Sequence, residues 1–163
     1  MKGVYTLVLE VQETINVMVG KLGLLRFDRG LYLYVGSALG DGASSIEGRI
    51  RRHTKKHKKT FWHIDHLLIR NEVRLLYAIY SMTDIDIECN IVKNAEKYLN
   101  ISHSVKKFGS SDCCCPTHLL KAKKESGKKN LLRNLKKIFR ELEMSPIVVE
   151  LIKSPWRDVS NAI

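Results

Sequence analysis

The chain contains no apolar run approaching the roughly 20 residues of a membrane-spanning helix, so a span is not expected. Its first stretch, MKGVYTLVLEV, carries Glu10 inside an alternating pattern and lacks a small-residue cleavage site of the secretory kind, which argues for a cytoplasmic protein. Cysteine is scarce: there are four, and Cys113, Cys114 and Cys115 are consecutive, too few and too clustered for the disulfide framework of a small secreted domain. They read as a local site or a lone clip. With 163 residues there is too little chain for two ordinary domains, and there is no internal repeat. Acidic residues are also in short supply: 17 Asp and Glu face 28 Lys and Arg, for a formal net charge of +11. Such a balance is the electrostatic footprint of a protein that meets a polyanion, and nucleic acid, DNA or RNA, is the expected partner. A basic surface that only maintains solubility is the plainer explanation.

In GVYTLVLEV, Val4 and Val8 share one face and Tyr5, Leu7, Leu9 and Val11 the other, the pattern of a strand buried on both sides. INVMVGKLGLLRF is broken at Gly20-Lys21 and at Gly23, the punctuation of a hairpin, and LYLYVGSA supplies a further strand. Ser44 or Ser45 can cap a helix running to about His57. FWHIDHLLI reads as a short helix and VRLLYAIY as a strand. Residues 84–99 read as a long helix with Thr83 as its cap, and residues 101–118 as a loop. Residues 120–143 begin with a lysine-rich, poorly periodic piece and continue as an amphipathic helix with Leu131, Leu132, Leu135, Ile138, Phe139 and Leu142 on its apolar side. The tail from Ser145 can add a strand. The expected fold is α/β of the α+β type: a small, mainly antiparallel central sheet flanked by helices over residues 1–120, with a basic helical extension over 121–163.

Chemistry-bearing residues stand out against this frame. On a helical wheel with Ile87 at zero, Tyr98, Ile91, Ala95, Leu99 and Val92 fall at about 20°, 40°, 80°, 120° and 140°, and Glu88 falls near 100°, within the apolar stripe. A carboxylate aimed at a core loses several kcal/mol of hydration, unless an arginine, a metal ion or an opening to solvent compensates. In the basic helix, Arg49 and His53 lie one turn apart beside the Ile46/Ile50 face. Arg51, Arg52, Lys55, Lys56, Lys58 and Lys59 spread around the rest and suit phosphate positioning, or simply form a solvated charged face. Tyr5 and Tyr34, on separate strands, are either packing residues or phenols able to hold a water and shuttle its proton.

Together, GVY at 3–5, YVG at 34–36, the Arg49/His53 pair and ECNIVKNAEKY from Glu88 resemble the GIY-YIG nuclease superfamily. That superfamily includes the nuclease domain of the bacterial excision-repair incision subunit and certain homing endonucleases. The closer resemblance, in YLYVGSA, RIRRH, WHIDHLL, EC and FGSSDCCCPTHL, is to a small, largely archaeal branch that also occurs fused to other repair proteins. It covers roughly residues 1–120. Two departures are a longer segment between the tyrosine motifs, with a hairpin at VMVGKLGLL, and a loop enlarged by LGDGASS before Arg49.

The resemblance implies a metal-dependent endonuclease hydrolysing DNA phosphodiester bonds in repair or recombination, leaving 5′ phosphates, with a repair protein as partner. Glu88 would hold Mg²⁺ or Mn²⁺ as the sole protein carboxylate. Tyr5 would act as, or relay to, the general base with Tyr34 assisting, Arg49 would stabilise charge on phosphorus, and His53 would orient one of these groups. The rival is a non-catalytic nucleic-acid-binding module or scaffold that keeps the fold. Cys113, Cys115 and His118 form a C-x-C-x-x-H cluster to which Cys89 can add a fourth zinc ligand. A Cys89 disulfide to Cys113 or Cys115, or buried free thiols, are the other readings. His63 and Asp65 can line the same groove, whereas Trp62, Ile64 and Leu67 read as packing.

Overall fold

The computed structural model describes residues 1–102, 105–123 and 127–152. Its elements in chain order are β1 (Gly3–Val11), β2 (Ile15–Met18), β3 (Leu24–Phe27), β4 (Gly30–Ala38), α1 (Ile46–Thr54), α2 (His63–Leu68), β5 (Val73–Met82), α3 (Glu88–Tyr98), β6 (Ile101–Ser102), β7 (Leu119–Ala122), α4 (Lys128–Glu141) and β8 (Ile147–Glu150). A strand apolar on both faces needs both faces covered, and β1 lies inside the main sheet, whose order is β6-β7-β4-β1-β5-β8. Every pairing in it is antiparallel. On one face Tyr5, Leu7, Leu9 and Val11 pack with Ile46 and Ile50 of α1, Ile64 and Leu67 of α2, and Phe27 of the β2–β3 hairpin. On the other, Val4 and Val8 meet Ile91, Val92 and Ala95 of α3 and Leu131, Leu135, Ile138 and Phe139 of α4. The architecture is α+β, with helices on both faces of an antiparallel sheet and a C-terminal helix among them. No helix among the described residues is long and apolar enough to cross a membrane.

Ser45, rather than Ser44, caps α1: its Oγ accepts from the Gly48 N–H at 3.2 Å. The helix stops at Thr54, three residues short of His57, because the Lys58 ammonium takes the last-turn carbonyls of Arg52 (3.0 Å) and His53 (3.3 Å). α3 likewise begins at Glu88 and not at residue 84. Thr83 Oγ1 accepts from the Ile85 N–H and Asp86 Oδ1 from the Glu88 N–H, so these side chains fold the backbone into turns before the helix can start.

β6 and β7 fall where a loop and a lysine-rich piece are expected. Two and four residues are too short to show a period, and β7 is a strand because it is paired on both edges, by Tyr32–Tyr34 of β4 and by β6. It spans residue 120, so residues on both sides of that position build one sheet. α4 and β8 are present as expected, α4 burying four apolar side chains worth about 1.5–3 kcal/mol each when fully removed from water. The rest of the expected extension, residues 124–126 and 153–163, lies outside the described residues.

Candidate active site

The β1–β4 register sets Tyr5 opposite Gly36 and Leu7 opposite Tyr34, so the two tyrosines share one face on neighbouring strands. The Tyr5 ring lies across the backbone of Gly36, where a Cβ would come within 2.6 Å of the Tyr5 hydroxyl. Glycine is therefore required by the ring's path. Behind Tyr5, the α1 residue His53 places Nε2 2.8 Å from the phenol oxygen, and the imidazole is 2% exposed. Burial, and next the charge of Lys58, push the His53 pKa down to about 3, so the ring is neutral at pH 7. Both phenols are held protonated. Burial raises them most, reinforced for Tyr5 by Tyr34 and for Tyr34 by Glu88.

In front of the tyrosines opens a pocket of about 350 Å³. β4 contributes Tyr34, Gly36 and Ser37, α1 contributes Arg49, the α2 start contributes Phe61, Trp62 and His63, α3 contributes Glu88, and the following loop contributes Gly109, Ser111 and Asp112. Four of the five expected catalytic residues, Tyr5, Tyr34, Arg49 and Glu88, thus face one cavity, and the fifth, His53, backs Tyr5. The Arg49 guanidinium stacks 4.1 Å over the Trp62 ring, and its Nε is buried without a hydrogen-bond partner. Trp62 is accordingly a pocket wall as well as a packing residue.

The expected phosphate-positioning set divides in two. Arg52 is committed to Asp65 Oδ2 and to the Lys59 carbonyl, both at 2.8 Å, and Lys58 is 3% exposed with its ammonium 3.3 Å from Asp65 Oδ1. Lys56 donates to the carbonyls of Leu68, Arg70 and Val73, closing the end of α2. These three cations hold structure together: the Lys58 side chain is buried in doing so, whereas Lys56 stays exposed and Arg52 half-buried. Arg51 and Lys59 are exposed and Lys55 half-buried.

Asp65 does not line the groove. It is fully buried, and its Oδ2 also accepts from the Phe61 and Trp62 N–H groups at 3.0 and 3.1 Å. Burial pushes its pKa up, but the Arg52 and backbone hydrogen bonds and the Lys58 charge outweigh that and leave it below the usual range. His63 does line the pocket, accepting the Gly109 N–H on Nδ1 at 3.0 Å. Ile64 and Leu67 are buried, as expected of packing residues.

Glu88 opens α3 with its carboxylate 17% exposed, and burial raises its pKa against a hydrogen bond from Ser37 that lowers it. The wheel placed Glu88 among apolar residues, and the compensation comes from the pocket opening and from His118, whose Nδ1 lies 3.2 Å from Oε2. His118 also turns Nε2 toward Cys113 Sγ at 3.3 Å and Cys89 Sγ at 4.0 Å. The ligand atoms of Cys89, Cys113, Cys115 and His118 all lie within 4.8 Å of one another, a group able to hold a metal ion. The sulfurs of Cys89 and Cys115 are paired, which is the alternative use of the same atoms, while Cys113 and Cys114 are free.

Phe61, Ser37, Gly109, Ser111 and Asp112 also line the pocket; in the sequence they stand inside the FWHIDHLLI, YLYVGSA and FGSSDCCCPTHL stretches but are not singled out as site residues. Phe61 meets Trp62 edge to face at the helix start yet stays 78% exposed, and that exposure is invisible until the fold shows that no further neighbour covers the ring. No curated protein and no solved structure matches the chain. One family does match, described as "Domain of unknown function DUF123", over residues 4–143, a span that contains every residue of the pocket and of the cysteine cluster. The chain belongs to that family.

Proposed function

We propose that the pocket is the active site of a divalent-metal-dependent endonuclease of the GIY-YIG type, acting on DNA phosphodiester bonds in repair or recombination. The observation that carries this reading is the convergence, in one 350 Å³ cavity, of a carboxylate (Glu88), a guanidinium with an unpartnered Nε (Arg49) and a phenol coupled to an imidazole (Tyr5–His53). A module that only bound nucleic acid has no use for a carboxylate there, because it repels phosphate.

Glu88 suits a hard cation: a half-buried carboxylate with the hydroxyl of Ser37 and the carboxylate of Asp112 around the same cavity offers the oxygen donors that Mg²⁺ or Mn²⁺ requires. Bound there, the ion supplies positive charge for the phosphate and the departing oxygen. The chain's own groups do the rest. With the imidazole proton on Nδ1, His53 Nε2 accepts the Tyr5 proton while the phenol oxygen takes one from the attacking water. An anionic phosphate entering the pocket raises the low pKa of His53 toward a useful value, since charge of that sign favours imidazolium. Arg49, held flat on Trp62, offers its free N–H to the charge developing on phosphorus. Tyr34 borders the cavity beside Tyr5 and orients the water by hydrogen bonding.

Outside the pocket, exposed Arg51 and Lys59 follow the nucleic-acid backbone, and Phe61, exposed on the pocket wall, stacks on a base. A repair protein as partner and a cytoplasmic location, with the DNA, belong to the same proposal. The soft sulfur donors beside Glu88 suit Zn²⁺ rather than Mg²⁺. One observation favours the rival binding module: Glu88 is already engaged by His118. Metal-dependent cleavage of labelled DNA by the wild type and its loss in Glu88→Gln, with binding retained, decides between them.

A further inference from the structure

We propose that Cys89, Cys113, Cys115 and His118 form a closed, tetrahedral Zn²⁺ site whose histidine, on its other nitrogen, holds the Glu88 carboxylate in place. The zinc site rests on its own geometry and stands whether or not the pocket is a nuclease.

The argument begins with His118. A carboxylate oxygen only accepts, so the 3.2 Å contact to Glu88 Oε2 assigns the proton of a neutral imidazole to Nδ1. Nε2 is then a bare lone pair, and it points into sulfur: Cys113 Sγ at 3.3 Å and Cys89 Sγ at 4.0 Å. A Cys89–Cys115 disulfide uses two of these atoms and leaves Cys113 and the imidazole lone pair only each other, in a weak S–H···N hydrogen bond. A zinc ion uses all four.

Zinc bonds of about 2.3 Å to sulfur and 2.0–2.1 Å to nitrogen set ligand-to-ligand edges of roughly 3.5–3.8 Å. The four ligand atoms already lie within 4.8 Å of one another, so side-chain shifts of about 1 Å close the shell. Cys89 sits in the first turn of α3, where the helix dipole favours a thiolate. Cys114, exposed, is the one cysteine outside the cluster.

The site fills on the reduced chain. Three thiols release their protons to solvent as three Zn–S bonds form, the imidazole donates its lone pair, and no electrons move. The metal then ties the first turn of α3 to residues 113–118, the segment that follows the pocket residues Gly109, Ser111 and Asp112. The Nδ1 contact puts the Glu88 carboxylate in the outer-shell position from which a ligating histidine is oriented, here shared with the pocket.

The test uses the full chain, purified under reducing conditions without chelator, with metal content by mass spectrometry and thiols counted after denaturation in chelator. One zinc per chain and all four cysteines titrating as thiols is the expected result. Cys114→Ser keeps the zinc, and Cys113→Ser loses it. Because Cys113→Ser can fail to fold, the wild type stripped of metal is also titrated with Co²⁺, where thiolate-to-cobalt charge transfer and intense tetrahedral d–d bands are expected. Two titratable thiols without zinc would establish the disulfide, and four thiols with no zinc and no cobalt spectrum would establish free cysteines; either overturns the site. His118→Cys separates the second half of the proposal: zinc retained with a shifted Glu88 side-chain carboxyl resonance at fixed pH is expected, and an unchanged resonance overturns the link.

Discussion

Acid should destabilise this protein in part through the buried His53 ring. His53 has an ordinary pKa of 6.5 and a folded value of about 3, set first by its burial on α1 and then by the Lys58 ammonium. A depressed folded pKa means that the unfolded chain takes up the proton first. The contribution is fully present above pH 6.5 and is lost as pH falls toward about 3, at about 1.4 kcal/mol per pH unit across that window. At pH 4.5, two units below the unfolded value, the loss is about 2.7 kcal/mol, a large share of an ordinary domain's stability. Urea melts of the wild type at pH 7, 5.5 and 4.5 measure the total. The same melts on His53→Gln, which cannot titrate, isolate the ring, and the gap between the two proteins should narrow by about 2.7 kcal/mol from pH 7 to pH 4.5. Parallel pH profiles would show that His53 takes up a proton in the folded state near its ordinary pKa, and the neutral imidazole behind Tyr5 would have to be abandoned.

Other outcomes follow from the same contacts. Asp65→Ala removes the carboxylate shared by Arg52 and Lys58, whose side chain is 3% exposed, and should cost about 3–5 kcal/mol in a urea melt, because a buried ammonium keeps its carbonyl hydrogen bonds but loses its counter-charge; a cost under 1 kcal/mol would show that Asp65 does not hold these cations in place. Gly36→Ala puts a methyl where the Tyr5 hydroxyl lies, so the chain should fold while cleavage falls sharply; unchanged cleavage would free Tyr5 of its role. Phe61→Ala should leave the melting temperature within error and weaken single-stranded DNA binding by about 1–3 kcal/mol per stacked base, read by fluorescence anisotropy.

What was legible in the sequence was what depends on local pattern. β1 could be read as a central strand because both of its faces are apolar, and α4 because Leu131, Leu135, Ile138 and Phe139 recur at helical spacing. Glu88 announced itself as a carboxylate among apolar neighbours. β7 could not be read, because its four residues are a strand only through pairing with β4 and β6, neither of which is near it in sequence. The fates of Lys56, Lys58 and Arg52 were hidden for the same reason: the carbonyls and the carboxylate that absorb them lie 5 to 17 positions away, and a run of basic residues looks identical whether it faces phosphate or its own backbone. The pocket residues around Asp112 were illegible because a loop's position is fixed by what it packs on, here Tyr34 and His118 against Gly109.

The most direct measurement is cleavage of labelled duplex, flap, fork and single-stranded DNA with Mg²⁺, with Mn²⁺ and with chelator, for the wild type and Glu88→Gln at equal, independently measured DNA binding. The arrangement of Glu88, Arg49 and the Tyr5–His53 pair predicts metal-dependent cuts by the wild type that chelator and the substitution each abolish. Tight, salt-sensitive binding without a cut by the wild type, or cuts that survive in Glu88→Gln, would contradict it.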